Sequence, residues 1–185
     1  IVGCGHIGKD LVRLLQPFHC EIRVNDPIEY RDFYKQYAIK SCTLTELLQH
    51  SEIVTLHLPL SDETYHLISE RELKQMRRGS FLINTARGGL VCERSLLRAL
   101  NQHHLAGAAS DVFEHEPETK SGLLQLDQFI GTPHIGGSSA EAVRAMGMAA
   151  IAGLGLDPGE NQNKTKAPRK KPSRREGDPI RDVIS

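Results

Sequence analysis

The sequence predicts an α/β fold, a parallel sheet wound with helices on both faces, and three observations carry that prediction. An apolar strand end, Ile1-Val2, runs straight into Gly3-Cys4-Gly5-His6-Ile7-Gly8. Beyond it Leu11, Leu14, Leu15 and Phe18 recur at helical spacing. An acid, Asp26, closes a second strand-like stretch 18 residues past Gly8. Strand-like and helix-like stretches then alternate across short connections to about residue 154, a pattern that makes neighbouring strands parallel and places helices against the sheet.

The elements follow in order. CEIRVNDP reads as the second strand, with Asp26 at its end, YRDFYKQY as a short helix and AIKSC as a short strand. Thr43, with Glu46 three residues on, forms a capping box that starts a helix through Leu47 and Leu48. EIVTLHLPL is nearly continuous apolar sequence, as expected of a strand buried on both sides. Ser69 and Glu72 cap another helix, stopped by Gly79. SFLINTA is a strand, ERSLLRALNQHH a helix with Leu96, Leu97 and Leu100 on one side, LAGAASDVF and FIGTPHIGG the last strands, and SSAEAVRAMGMAAIAGL a closing helix.

A chain of 185 residues holds one domain of about 150 residues and an appendage. The boundary is expected near Leu154, with residues 155–185 a polar, basic tail too poor in apolar residues to fold. The chain carries no formal net charge, yet Lys164 to Ser185 holds eight Lys or Arg against three acids, which leaves the body five negative. An acidic body argues against nucleic acid as a partner. Cys4, Cys20, Cys42 and Cys92 are scattered, with no CxxC pair and no histidine beside them at metal-ligand spacing, so no metal is expected and a reducing, cytoplasmic setting is. No apolar run reaches membrane-spanning length. The first residue is not Met and stands within a strand, so the chain reads as an excerpt of a longer protein.

Each glycine of the opening motif answers a separate demand: Gly3 a tight turn, Gly5 close approach of backbone to a diphosphate, Gly8 close helix–strand packing. The diphosphate would rest on free amides at the helix start, where the helix dipole favours negative charge. The motif alone is equally compatible with a structural turn. Asp26, placed to accept hydrogen bonds from both ribose hydroxyls and to repel a 2′-phosphate, favours NAD over NADP, although Arg31 stands close and Asp26 also suits a turn before Pro27.

Arg87, Glu116 and His134 fall just beyond strand ends, where ligands gather in such sheets. A histidine titrates near operating pH and suits proton transfer to or from a hydroxyl. A carboxylate on the imidazole fixes its tautomer, and an arginine fork clasps a substrate carboxylate. Singly they also read as a loop cation, a turn acid before Pro117 and a loop histidine after Pro133.

The stretches GCGHIG, HLPLSDET, LINTARGGLV, LAGAASDVFEHEP and TPHIGGSSAEA resemble the nucleotide-binding domain of the D-isomer-specific 2-hydroxyacid dehydrogenases, and within that family the members acting on 3-phosphoglycerate, hydroxypyruvate or glyoxylate. The resemblance spans about residues 1–154, with Arg87, Glu116 and His134 spaced by 29 and 18 positions as the family has them. It implies a Rossmann-type domain, NAD as cofactor and those three residues as the catalytic set. It also implies His6 and Ile7 amides on the diphosphate, Leu58 and Pro59 beside the adenosine, and Thr85, Ala86 and Arg87 on the nicotinamide side. Asp111 would meet the carboxamide, with His134, Ile135, Gly136 and Gly137 at the same end. His6 replaces a common arginine, and Glu116 stands where the formate dehydrogenase branch has glutamine. Homodimerisation through this domain is a further implication, as is a small 2-hydroxy or 2-keto acid substrate, with no membrane partner. The family's substrate lobe lies largely before the glycine motif, so these residues are expected to bind NAD and to turn over substrate poorly alone. Two other readings are an NAD-sensing module like the C-terminal binding corepressors, which share the triad, and an inactive truncated product.

Overall fold

Residues 1–118 and 120–154 are described by a computed structural model. The expected tail, 155–185, lies outside them. The described residues divide into two units, Ile1–Val143 and a second that begins at Arg144.

In the first unit every strand pairing is parallel. β1 (Arg23–Val24) pairs with β2 (Lys40–Ser41), while β3 (Ile53–Leu56), β4 (Phe81–Asn84), β5 (Gly107–Ser110) and β6 (Phe129–Gly131) form a four-stranded array in that order. Val2 joins the two arrays, bridging Asn25 on one side and Leu56 on the other. The resulting order runs β2, β1, the Val2 segment, β3, β4, β5, β6. The chain leaves the Val2 segment toward β1 and returns past it to β3, so the reversal of strand order falls at the glycine turn.

The strands are shorter than the apolar runs suggest. The run EIVTLHLPL pairs only through Leu56, and its remainder crosses the sheet edge as loop. Both capping boxes form: Glu46 accepts from Thr43 N at 2.9 Å and its own N–H bonds Thr43 Oγ1 at 3.2 Å, and Glu72 accepts from Ser69 N and Oγ at 3.2 and 2.6 Å. They start α3 (Leu44–His50) and α4 (Glu70–Gln75). With α5 (Glu93–Asn101) these helices supply Leu47, Leu48, Leu73, Leu96 and Leu100 to a core completed by Val54, Leu56, Leu82, Ala108 and Phe129. A second core gathers Val12 of α1 (His6–Leu15), Tyr34 of α2 (Arg31–Gln36) and Val24 of β1 with Ile1, Cys4 and Ile22 from the segments that precede α1 and β1. α6 spans Ala140–Gly153.

The apolar stripe read along α1 divides. Gly8 and Val12 are buried and Leu11 and Leu15 half-buried, whereas Leu14 and Phe18 are 70% and 75% exposed. The reason is steric. Gly8 packs so closely that a Cβ there would collide with Gly3 O, which sets the helix rotation and sends Val12, one turn on, into the core.

Candidate active site

Gly3 has φ +91°, and a Cβ there would stand 2.6 Å from His57 O and 2.8 Å from Leu58 Cδ2. Backbone conformation and space both demand glycine at that position. The turn is locked on both sides, with Val2 N donating to Thr55 O at 2.9 Å and Gly3 N to Asn25 O at 2.8 Å. Gly5 is the N-cap of α1 and caps it with no side chain, and nothing lies within 4 Å of where its Cβ would be. The first amides of α1 have no intrahelical acceptor, and the space over Gly5 admits a diphosphate.

Asp26 follows β1 and reaches back to this turn. Its Oδ2 accepts from Cys4 N at 2.5 Å and its Oδ1 from Ile28 N at 2.7 Å, leaving one lone pair on each oxygen for a ribose diol. Arg31, which stood as a rival partner for a phosphate, is paired with Glu29 at 2.9 Å on the surface. The residues present therefore fit a dinucleotide lacking a 2′-phosphate.

The remaining residues of interest share one edge through register. Leu56, Asn84, Ser110 and Gly131 are aligned across β3 to β6, so the segments that follow each strand emerge together. Those segments carry Leu58 and Pro59, then Thr85, Ala86 and Arg87, then Asp111, then His134 to Gly137. Val2 bridges Leu56 in the same sense, which puts the glycine turn at that edge as well.

Each loop is pinned from beneath. Buried Asn84 donates Nδ2 to Arg87 O at 2.9 Å and accepts Ala86 N on Oδ1 at 3.1 Å, so one amide clamps the segment bearing Arg87. The exposed Arg87 guanidinium bonds Ala86 O at 2.6 Å. Asp111 is buried and accepts Thr132 Oγ1 at 2.5 Å, Ile135 N at 2.9 Å and Gly136 N at 2.8 Å. Burial works to raise its pKa, but those three hydrogen bonds and nearby His134 prevail and hold it below the ordinary carboxylate value. Every hydrogen bond described for the Asp111 carboxylate thus goes to the loop that holds His134.

Glu116 Oε2 lies 2.7 Å from His134 Nδ1, and Glu116 Oε1 accepts Phe113 N at 3.0 Å. The hydrogen bond from His134, then that from Phe113, keep the Glu116 carboxyl below its usual range. An ionised carboxylate only accepts, so Nδ1 carries the proton and Nε2 offers the lone pair. The pair is open to solvent, with side chains 49% and 35% exposed. No contact joins Arg87 to either residue among those described, so it shares the edge with them and not a hydrogen bond.

Sequence reasoning did not single out Asn84, Thr132 or His57. Asn84 ends an apolar strand, where a buried polar residue signals a clamp. His57, whose Nε2 lies 3.0 Å from Thr55 Oγ1, sits under the glycine turn, and burial lowers its pKa.

A parallel sheet with a glycine turn at its reversal point, braced by an acid at the end of the next strand, defines a dinucleotide-binding domain of the doubly wound class. Residues 1–136 match the NAD binding domain of the D-isomer specific 2-hydroxyacid dehydrogenases, and the chain belongs to that family. It is 40% identical over 142 residues to a glyoxylate reductase of Korarchaeum cryptofilum, covering 76% of this chain and 43% of that protein. A D-3-phosphoglycerate dehydrogenase of Bacillus subtilis is 39% identical over 142 residues, 77% of this chain and 27% of the relative. The structure of apo D-mandelate dehydrogenase from Rhodotorula graminis superposes with a TM-score of 0.78 at 28% identity, covering 83% of this chain and 45% of that one. The chain spans less than half the length of these relatives. No helix among the described residues is long and apolar enough to cross a membrane.

Proposed function

We propose that this chain is the cofactor-binding half of an oxidoreductase that moves hydride between NAD(H) and a small D-2-hydroxy acid or its 2-keto acid. The observation that carries the proposal is the 2.7 Å Glu116–His134 contact at the sheet edge that also bears the glycine turn and Arg87. Bound NAD supplies the hydride acceptor. His134 Nε2 takes the proton of the substrate hydroxyl, and Glu116, bonded to Nδ1, stabilises the imidazolium that results. Arg87 clasps the substrate carboxylate and polarises the adjacent carbonyl in the reverse direction. The amides of His6 and Ile7 hold the diphosphate, Asp26 the ribose, Leu58 and Pro59 flank the adenosine, and Thr85, Ala86 and the Asp111-anchored segment Ile135–Gly137 border the nicotinamide.

The similarity to proteins named for glyoxylate, 3-phosphoglycerate and mandelate supports small 2-hydroxy or 2-keto acids as substrates. A homodimer is supported by Ile7 and Leu14 on α1 and Phe18 in the 3-10 turn that follows it, each about 70% exposed, apolar surface of the kind that marks protein contacts. The four cysteines are unpaired, which supports a reducing, cytoplasmic setting, and the acidic body supports neither nucleic acid nor an anionic membrane as partner. Residues 1–154 are taken as the domain and 155–185 as its basic tail.

The test follows NADH absorbance with hydroxypyruvate, glyoxylate and 3-phosphohydroxypyruvate in a protein that joins this domain to a substrate lobe. His134→Ala is expected to lose at least about a hundredfold in kcat. Unchanged turnover in that variant removes the proposal.

A further inference from the structure

We propose that His66, Cys92 and Glu114 form a zinc site that fastens together the segments adjoining Arg87 and Glu116. One donor atom from each of the three lies within 4.8 Å of the others, and all three residues are half-buried. Imidazole, thiol and carboxyl converging from three distant stretches of chain make a donor set suited to zinc and unsuited to magnesium or calcium, which take oxygen ligands. No spacing motif announces it, because 26 and 22 residues separate the ligands.

The surrounding backbone holds the donors in place. A short parallel ladder runs beside them: His66 N bonds Gly89 O at 2.7 Å, Ile68 N bonds Leu90 O at 3.0 Å, and Cys92 N bonds Ile68 O at 3.0 Å. The third segment is attached by reciprocal bonds, Glu93 N to Glu114 Oε1 at 2.8 Å and Glu114 N to Glu93 Oε1 at 2.6 Å. His66 is a non-glycine residue at φ +51°, and its ring stacks on Tyr65 at 4.0 Å between centroids. A residue kept in that backbone region by its surroundings is a recurrent feature of ligand clamps.

Two further details point to a cation. His66 Nε2 is buried without a hydrogen-bond partner although Glu114 Oε1 is only 3.2 Å away, so the two atoms approach without donor–acceptor alignment. A metal ion between them accepts a lone pair from each. Ser95 Oγ donates to Cys92 Sγ at 3.2 Å, and Glu93 N donates to Glu114, the outer hydrogen bonds that orient metal ligands. On binding, the Cys92 thiol releases its proton to solvent and the sulfur coordinates as thiolate, with water as the fourth ligand. Cys92 follows Arg87 by five residues and Glu114 precedes Glu116 by two, so the ion braces both loops without touching the dinucleotide site.

The test uses the 185-residue chain freed of metal with a chelator. Cobalt is expected to bind at one equivalent with a thiolate-to-metal charge-transfer band that Cys92→Ser abolishes and Cys20→Ser retains. Zinc affinity is expected to fall at least tenfold in His66→Gln and in Glu114→Gln, with NAD affinity unchanged. At a hundredfold excess over its Kd, zinc is expected to raise the melting temperature by about 5 °C or more. Because a variant that fails to fold would lose the band trivially, alkylation of the unsubstituted protein supplies an independent reading. Zinc is expected to protect Cys92 and not Cys20. Absence of the band, its persistence in Cys92→Ser, or alkylation of Cys92 at the same rate with and without zinc would overturn the site.

Discussion

Asp111 holds His134 in a backbone conformation that histidine seldom adopts. His134 has φ +56°, and the two amides that follow it, Ile135 N and Gly136 N, both donate to the buried Asp111 carboxylate. Left-handed backbone at a non-glycine residue costs about 1 kcal/mol or more, and charge-assisted hydrogen bonds of this kind offset it.

Removing that support has a defined consequence. Asp111→Ala leaves two backbone amides and the Thr132 hydroxyl without their acceptor and is expected to destabilise the domain by about 2–3 kcal/mol in urea unfolding. A loss below about 0.5 kcal/mol would show that the loop holds itself.

Asp111 also sets an acid limit. Its folded pKa lies below the ordinary 3.8, so its contribution to stability is complete above that value and is lost as pH falls through the folded value. Glu116 acts in the same sense below 4.5. Half-buried His57, with its pKa lowered from 6.5, adds a third component that weakens as pH falls from 6.5 through the folded value. Urea midpoints measured from pH 7 down to pH 3 are expected to decline throughout, and the fall below pH 4 is expected to be shallower in Asp111→Asn relative to its own value at pH 7. An unchanged slope in that variant contradicts the assignment.

The glycines separate folding from binding. Gly3→Ala combines φ +91° with a Cβ 2.6 Å from His57 O and is expected to cost about 2 kcal/mol or more of stability. Gly5→Ala meets nothing within 4 Å, so its melting temperature is expected to hold while NAD affinity falls about tenfold, a loss of about 1.4 kcal/mol. Calorimetry and thermal melts on the two variants check this, and a Gly5 variant with full NAD affinity would move the diphosphate elsewhere.

For cofactor choice, Asp26→Ala is expected to weaken NAD more than NADP, since the ribose diol loses its acceptor and the 2′-phosphate loses a repelling charge. It also removes the bond to Cys4 N. Equal weakening of both nucleotides would reduce Asp26 to a brace for the turn.

The exposed side of α1 is checked by assembly state. Leu14→Lys combined with Phe18→Lys is expected to yield a monomer in light scattering while the fold is retained, because both side chains lie outside the core. A dimer that persists in this variant would place the contact on another surface.

Much of this molecule is local, and what is local could be read from the chain. The glycine turn and the boxes at Thr43 and Ser69 depend on neighbours within a few residues or on one strand–helix–strand unit, and they appear as read. The alternation of periods likewise announced a parallel sheet. Leu14 and Phe18 mark where this reading stops. Helical spacing identifies a stripe, but only the fit of Gly8 against Gly3 decides which side of that helix meets the core.

The sequence by itself determined the fold class, the dinucleotide turn and the residue types able to do the chemistry, because propensity, caps and turn geometry are short-range. Tertiary structure alone decided that Leu56, Asn84, Ser110 and Gly131 end in register, that Asn84 and Asp111 pin the loops beyond them, and that His66, Cys92 and Glu114 meet. Those relations join residues tens of positions apart, and strand pairing and core packing, which bring them together, leave no periodic trace in the residues they align.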